Sequence, residues 1–278
     1  PGNKYRDWRK HRNQAFALSM AYRSLGPAFQ KKADRVFTCA RRIDLSPKEP
    51  DEIGQSVLNR YGCKDRLCPG CQSSRGRRNF SELYQVYELY RKSNPNDFPA
   101  MLTLTVPNMH AHQLKERLSE LLIGFRRLTR RKAFHQSVNA WFRALEVTYN
   151  AKKQTYHPHI HTLLMLQPKY FDKDKDFYVQ HSEWLAIWQK VMKRQDIKHL
   201  DIRLLRPHPA DPNDRTMSKA IAELAKYATK PADIFIPTKG GGYRVEPQII
   251  HALHYTLKRR RLTAYSGPFK DLRSELPA

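Results

Sequence analysis

The sequence is short of acidic residues, with 26 aspartates and glutamates against 51 lysines and arginines. The resulting formal net charge of +25 indicates a polyanionic partner, nucleic acid first. Long apolar runs are also lacking, since none approaches the roughly 18 residues of a membrane-spanning helix. The first residues, "PGNKYRDWRKHRNQ", lack the apolar core of a signal peptide. We therefore expect a cytoplasmic protein without membrane contact.

Cysteine is scarce as well, at four residues in 278. A disulfide framework is not expected in a cytosolic chain of this length, because reducing compartments keep thiols free. Apolar residues make up 40% and aromatic residues 11%, which excludes a disordered basic tail. The chain is expected to be folded, with one large domain or two smaller ones.

Hydrophobic periodicity divides the middle of the chain into helices and strands. "AMLTLTV" alternates as a strand, and apolar residues from Leu114 to Leu128 recur with helical spacing. "WFRALEVTYN" and "TYHPHIHTLLML" are typical strands, and the turn-like "AKKQ" between them predicts a β-hairpin. Further helices are expected around Trp184 and in "MSKAIAELAKYATK", with a short strand in "LDIRLL".

Two histidines and a glutamate converge in the predicted hairpin. Alternate residues of a strand share a face, so His159 and His161 point the same way. A turn centred between Lys152 and Lys153 places Glu146 opposite His159 on that face. One carboxylate and two imidazoles leave coordination positions open, which suits a divalent ion that also binds phosphate oxygens. The opposite, apolar face of the hairpin is expected to pack on helices.

An isolated His-x-His pair is more often a pair of surface or hydrogen-bonded histidines than a metal site, and that interpretation is also open here. His110 and His112 have the same spacing but fall at a loop or helix start, where residues two apart point in different directions. We interpret them as structural. The register with Glu146 is what favours metal binding at His159 and His161.

A tyrosine lies between an acid and a base in "AIAELAKYATK". Glu223 and Tyr227 are four residues apart and Lys230 follows three later, so a helix would present all three on one face. A tyrosine hydroxyl has a reference pKa of about 10 and needs a cation or metal nearby to act as a nucleophile at neutral pH. The spacing alone is equally compatible with a packed tyrosine and solvated helix charges.

Three cysteines lie close together in "CKDRLCPGC", at Cys63, Cys68 and Cys71, and Cys39 lies upstream. This spacing predicts a structural zinc site, because four thiolates close a tetrahedral shell and order a region poor in apolar residues. A histidine in place of Cys39 is an alternative fourth ligand. A thioredoxin-like redox pair at Cys68 and Cys71 would need a βαβ context that the sequence does not show.

Taken together, "AMLTLTVPN", "HPHIHTLLML" and "AELAKYATKPAD", in that order, resemble the three motifs of plasmid rolling-circle replication initiators in the HUH endonuclease superfamily. "CKDRLCPGC" and "YTLKRRRLTAYSGPFKDL" also look like that family. The resemblance covers the chain from about Val36 to beyond Leu272 and leaves out the first 35 residues. The ordered set of motifs is specific, whereas any single motif is not.

The resemblance implies a role for each residue of the motifs. His159 and His161 match the family's histidine pair, Glu146 its acidic third ligand, Tyr227 its nucleophile, Glu223 the glutamate that acts at termination in one branch, and Lys230 its lysine. Only one tyrosine occupies the motif position, as in single-tyrosine members.

The resemblance also implies an α+β fold with a central antiparallel sheet of about five strands, helices packed on it, and a small N-terminal zinc-binding region. We accordingly expect a basic N-terminal segment at 1–35, a zinc-binding and helical region at 36–95, an HUH endonuclease core at 96–240, and a basic C-terminal helix and tail at 241–278.

The implied activity is nicking of one DNA strand at a plasmid origin with Mg²⁺ or Mn²⁺. Tyr227 would form a 5′-phosphotyrosyl link and free a 3′-OH primer, and the strand would later be rejoined or terminated. The expected DNA is single-stranded or a hairpin, because a stacked duplex is hard to bend into the in-line geometry. A host helicase and DNA polymerase in the bacterial cytoplasm are the other expected partners.

Three other functions remain open. A transposase or conjugative relaxase of the same superfamily would share the ion and the tyrosine. A hydrolytic metallonuclease would use the same ligands to activate water, with Tyr227 merely packed. A zinc-containing DNA-binding regulator would need only the charge and the cysteines, and would bind DNA without cleaving it.

Overall fold

A computed structural model describes residues 8–39, 43–47, 56–60, 62–172, 177–206, 214–225, 229 and 231–276. The chain forms two compact units. The first unit contains residues 1–75 and 230–258, and the second contains residues 76–229 and 259–278. Among the described residues, no helix is both long and apolar enough to cross a membrane.

The structure contains helices and strands in mixed order, with two 3₁₀ turns at Pro27–Phe29 and Pro168–Phe171. The described helices are α1 Trp8–Ser24, α2 Gln30–Phe37, α3 Pro69–Ser93, α4 Ala111–Leu128, α5 Lys132–Ser137, α6 His181–Met192, α7 Thr216–Leu224, α8 Pro231–Ile234, α9 Pro247–Leu257 and α10 Pro268–Glu275. The described strands are β1 Ile43–Pro47, β2 Ser56–Arg60, β3 Phe98–Thr105, β4 Val138–Asn150, β5 Thr155–Leu166, β6 Leu200–Leu204, β7 Ile236–Pro237, β8 Tyr243–Arg244 and β9 Thr263–Ser266.

The second unit is built on a five-stranded sheet in the order β6-β3-β5-β4-β9. Every neighbouring pair in it is antiparallel. The fold class is therefore α+β with a central antiparallel sheet, as the sequence indicates. The β4–β5 hairpin turns at residues 151–154, and Glu146 lies opposite His159. The predicted register of the hairpin is confirmed.

Helices cover both faces of this sheet, and not only the face opposite the histidines. On the histidine face, Phe142 of β4 and Leu163 and Met165 of β5 pack against helices α3, α7 and α10. The prediction of helices on a single apolar face was incomplete. The two histidines occupy only one end of their face, and the rest of that face is apolar enough to bury helices of its own.

The other face packs against α4 and α6. Helix α4 buries an apolar stripe with helical spacing, which includes Leu114, Leu118, Leu121, Phe125 and Leu128. The Phe125 ring meets Trp141 of β4 edge to face at 5.0 Å. In α6, Trp188 is fully buried and its indole N–H donates to the carbonyl of Thr105 at 2.9 Å. This hydrogen bond fixes the end of β3 that lies beside the histidines.

The first unit contains α1, α2, α8 and α9, the two-stranded pairs β1–β2 and β7–β8, and the four cysteines. Asp65 joins its parts, because this buried carboxylate accepts from Lys32 at 2.8 Å and from Tyr22 at 3.2 Å. The Tyr22 ring stacks on Phe29 at 5.7 Å. Burial and Asp65 raise the pKa of Tyr22 well above its usual range. The cysteine segment at 63–71 is thus tied to α1 and α2.

Candidate functional site

The hairpin brings Glu146, His159 and His161 together on one face of the sheet. The Nε2 atom of His159 lies 2.6 Å from Oε2 of Glu146, and Nε2 of His161 lies 3.0 Å from the same oxygen. The two rings are 4.7 Å apart and nearly perpendicular. Glu146 and His159 are buried, and His161 is partly exposed. One potential ligand atom of each residue lies within 4.8 Å of the other two.

This donor set fits a divalent metal ion. Metal–ligand distances of about 2.0–2.2 Å place the ligand atoms of one ion no more than roughly 4.4 Å apart, and the observed separations from the carboxylate oxygen are shorter than that. Two imidazoles and one carboxylate do not fill an ion's coordination shell, so positions are left for a substrate. We call Glu146, His159 and His161 the triad from here on.

Each histidine ring of the triad also makes a contact through its Nδ1 atom. Nδ1 of His161 lies 3.1 Å from Oγ1 of Thr103, and Nδ1 of His159 lies 3.2 Å from the carbonyl of His157. An Nδ1–H donated to these oxygens leaves both Nε2 lone pairs for the metal, with the tautomer inferred from the contacts.

The sequence analysis missed Thr103, because only the β3–β5 pairing places it opposite His161. It also passed over His157. This residue shares the face of the triad histidines, and its ring lies 5.3 Å from that of His159. Burial and the neighbouring His159 lower the pKa of His157. The alternation of three histidines at 157, 159 and 161 was the signal that could have found it.

Helix α7 carries Glu223 in its last turn, where the side chain is partly buried. The helix ends at Leu224, earlier than the pattern "MSKAIAELAKYATK" predicts. Thr229 pairs instead with Val147, the neighbour of Glu146 on β4. Tyr227 and Lys230 lie outside the described residues, so the expected alignment of Glu223, Tyr227 and Lys230 on one face stays a prediction.

The four cysteines form a second cluster, in the first unit. Cys39 follows α2, Cys63 and Cys68 lie in the loop before α3, and Cys71 lies in the first turn of α3. The Sγ atom of Cys39 is 3.6 Å from those of Cys68 and Cys71, and Cys63 is 3.6 Å from Cys71. All four cysteines are buried, and none of them is in a disulfide. The structure thus groups Cys39 with the other three.

The cysteine geometry fits a tetrahedral metal site. Zinc–sulfur bonds of about 2.3 Å place tetrahedral sulfurs about 3.8 Å apart, close to the observed spacing, whereas a disulfide requires about 2.05 Å. Burial of all four thiols is typical of a structural site, since a redox cysteine is partly exposed. Hydrogen bonds to Cys39 raise the pKa of both Cys63 and Cys68. A central cation opposes that effect by stabilising thiolates.

The second histidine pair lies at the start of α4. His110 is the N-cap of this helix, and its backbone N–H donates to Oε1 of Gln113 at 3.4 Å. The rings of His110 and His112 stack at 6.2 Å and are exposed. Among the described residues they belong to no potential metal-binding group. The two rings lie side by side, so the expectation that they point in different directions was wrong, and their structural role stays a prediction.

Comparison with known proteins identifies relatives along most of the chain. The family model described as "Replication protein" matches residues 55–278. A "Protein rep" from Bacillus amyloliquefaciens is 32% identical over 98% of this chain and 83% of its own length. A "Protein rep" from Streptococcus pneumoniae serotype 2 is 30% identical over 98% of this chain and 80% of its own length. A "Protein rep" from Staphylococcus aureus is 29% identical over 82% of this chain and 93% of its own length.

No solved structure matches the chain. The family model covers far more than half of the sequence, and the first two relatives are at least 30% identical over nearly all of it. The chain therefore belongs to the replication protein family.

Proposed function

We propose that this replication protein initiates rolling-circle replication of a plasmid by nicking one strand of its origin DNA with Tyr227. The grouping of Glu146, His159 and His161 in a member of this family is the observation that supports the proposal most strongly. When bound there, Mg²⁺ or Mn²⁺ would polarise the scissile phosphate and offset its negative charge.

Chain connectivity supports Tyr227 as the nucleophile. Thr229 pairs with Val147, which adjoins the ligand Glu146. Tyr227 precedes Thr229 by two residues, and two residues of chain span at most about 7 Å. Thr229, two residues after Tyr227, thus lies beside the strand that carries Glu146, which supports a role for Tyr227 at the triad. A neighbouring cation, for which Lys230 is the candidate in the sequence, favours the phenolate.

In the proposed reaction, the Tyr227 hydroxyl oxygen attacks the scissile phosphorus and loses its proton. The P–O bond to the 3′ oxygen breaks, and that oxygen takes up a proton to become a free 3′-OH. The 5′ phosphate stays esterified to Tyr227, so the bond is conserved for later strand joining. At termination, Glu223 acts as the general base that activates water on the regenerated site, which ends the cycle without a second adduct.

The DNA partner follows from the charge and the chemistry. A formal net charge of +25 favours binding to the phosphate backbone without selecting a sequence. In-line attack favours a single-stranded or hairpin origin. The cysteine cluster would hold a structural zinc ion. A host helicase would separate the strands and a host polymerase would extend the 3′-OH in the bacterial cytoplasm, where plasmid DNA lies.

The test is formation of a covalent protein–DNA adduct. The protein is incubated with Mn²⁺ and a supercoiled plasmid that carries its gene and the flanking DNA, and is then analysed by denaturing electrophoresis. We expect an adduct that a chelator and Tyr227→Phe both abolish, and that accumulates in Glu223→Ala. Nicking that persists in Tyr227→Phe would show a hydrolytic metallonuclease. Tight binding of this DNA without any nick would favour a regulator.

A further inference from the structure

A cavity of about 310 Å³ lies where β3 begins and β6 ends, away from the triad. It is lined by Phe98, Phe171, Leu204, Leu205 and Arg206. None of these residues has a part in the proposed nicking reaction. The volume lies within the usual range of small-ligand sites, roughly 300–1,000 Å³.

The cavity combines exposed aromatic rings with a cation. Phe98 and Phe171 meet edge to face at 5.2 Å, yet they are 38% and 41% exposed. Tyr178 lies 5.8 Å from Phe171 and is 53% exposed. Apolar rings left in contact with water at one place mark a binding surface. Arg206 is exposed, and no acidic residue is among the five that line the cavity.

A route from this cavity to the triad runs around the edge of the sheet, because Phe98 and Thr103 are an odd number of residues apart on β3 and point to opposite faces. Thr103, which contacts His161, lies five residues along β3 from Phe98, or about 17 Å at the usual rise per residue. Strand β6 forms that edge, and its exposed Arg203 lies opposite Met101, between the two places. Arg203 and Arg206 are therefore two cations on the route. Stacked nucleic acid has about 3.4 Å per nucleotide of one strand, so this route corresponds to at least about five stacked nucleotides.

We propose that this cavity binds one unstacked base of single-stranded DNA, with Arg206 against the adjoining phosphate. Aromatic faces stack on any base, and a guanidinium pairs with phosphate, so a nucleotide within a strand matches both parts of the site. That the strand belongs to the plasmid origin depends on the proposed function. The binding itself needs neither the triad metal nor Tyr227.

The test distinguishes binding through the bases from binding through the phosphates. Binding of oligothymidylate of about 12 nucleotides, and of an abasic strand with the same phosphates, is measured by fluorescence anisotropy without added divalent ions. The parent protein should prefer the strand with bases. Phe171→Ala should weaken that complex about tenfold with little effect on the abasic strand, and Phe171→Trp should restore it. Phe16→Ala is the matched control, since Phe16 is 52% exposed in α1.

A second variant tests the cation independently of folding around Phe171. Arg206→Gln should reduce the slope of log affinity against log salt by about one. Melting temperatures of all variants establish that they are folded. If Phe171→Ala fails to fold, Arg206→Gln and Phe98→Ala decide the question.

Three results would overturn the proposal. The parent protein could bind the strand with bases and the abasic strand equally. The cavity would then not bind a base, and an apolar side chain of a partner protein would fit it instead. Phe171→Ala could weaken both strands alike, or no more than Phe16→Ala does. The adduct assay judges the nicking function separately. Absence of an adduct with an intact base preference would refute nicking alone, and the reverse combination would refute the cavity alone.

Discussion

His161 has two ring nitrogens, and each has a separate task. Nε2 faces Glu146, and Nδ1 lies 3.1 Å from the hydroxyl of Thr103. Thr103 does not reach the metal position itself, so it acts by positioning the ring. The sequence places His161 on the correct face but is silent about Thr103, because the partner lies 58 residues away on another strand.

Thr103→Val should weaken metal binding about tenfold or more, because the imidazole loses the contact that fixes its orientation and tautomer. Thr103→Ser keeps a hydroxyl and should bind metal like the parent. The measurement is Mn²⁺ titration followed by electron paramagnetic resonance of the free ion, alongside the Mn²⁺ dependence of nicking. Equal affinity in all three proteins would show that the hydroxyl does not position His161.

His254 on α9 sits against the aromatic rings of Tyr22 and Phe29, at 6.0 and 5.4 Å. Burial, with a further contribution from Lys32, lowers the pKa of His254 to about 4. The unfolded chain has a reference value of about 6.5, so it binds the proton first as pH falls. The stability of the first unit should therefore decrease progressively between about pH 6.5 and pH 4.

His254→Gln should remove this part of the acid sensitivity. Melting temperatures at pH 7.5 and pH 5 provide the measurement, and the relevant quantity is the difference between the two. His251→Gln is the control, since His251 lies on the same helix and is exposed. If acidification lowers the melting temperature of His254→Gln as much as that of the parent, the effect comes from other groups.

Among the secondary-structure elements, the β4–β5 hairpin is predicted by its local sequence pattern, whereas the strand in the C-terminal tail is not. The β4–β5 register follows from alternation and a short turn, which are local properties, and it is observed as predicted. Strand β9 lies in the tail, for which we expected only a basic helix and tail. "TAYS" is too short to stand out by its own pattern. It is a strand because it pairs with β4 at Trp141–Ala144.

Gly267, between β9 and α10, shows a conformation that the fold requires. Its φ of 58° and ψ of −149° are accessible essentially only to glycine, and an added Cβ would lie 2.7 Å from the backbone oxygen of Asn139. Gly267→Ala should destabilise the second unit by about 1–3 kcal/mol, and more if Asn139 cannot shift.

Denaturant unfolding measures this change in free energy. Gly240→Ala is the matched control, because an added Cβ there meets nothing within 4 Å. A loss in Gly267→Ala no larger than in Gly240→Ala would show that the junction tolerates a side chain.

On the scale of the whole molecule, the two clusters of metal-binding side chains lie in different units. The cysteines belong to the first unit and the triad to the second. Apart from its cysteines, the segment at 63–71 buries a single large apolar side chain, Leu67, so a bound ion is expected to contribute strongly to folding there. The triad lies on a sheet whose core is already apolar on both faces, and its ion is expected to matter for reaction more than for stability.

Zinc removal should therefore unfold the first unit while the sheet of the second persists. Cys68→Ser should lose the ion, whereas Glu146→Gln should keep it and lose Mn²⁺ binding instead. Elemental analysis gives the metal content, and circular dichroism during chelation gives the structural change. An unchanged melting profile after complete zinc removal would contradict a structural role for the cysteine cluster.

The sequence by itself determined the main elements in the middle of the chain, the hairpin register, the triad and the three clustered cysteines. Each depends on periodicity or on ligands close together in the chain, whereas only the tertiary structure groups Cys39 with the other three cysteines. Only the tertiary structure decided that helices cover both sheet faces, that Thr103 supports His161, that β9 completes the sheet, and that α7 ends at Leu224. These features depend on contacts between distant segments, whose formation is set by packing of the whole chain and leaves no local pattern.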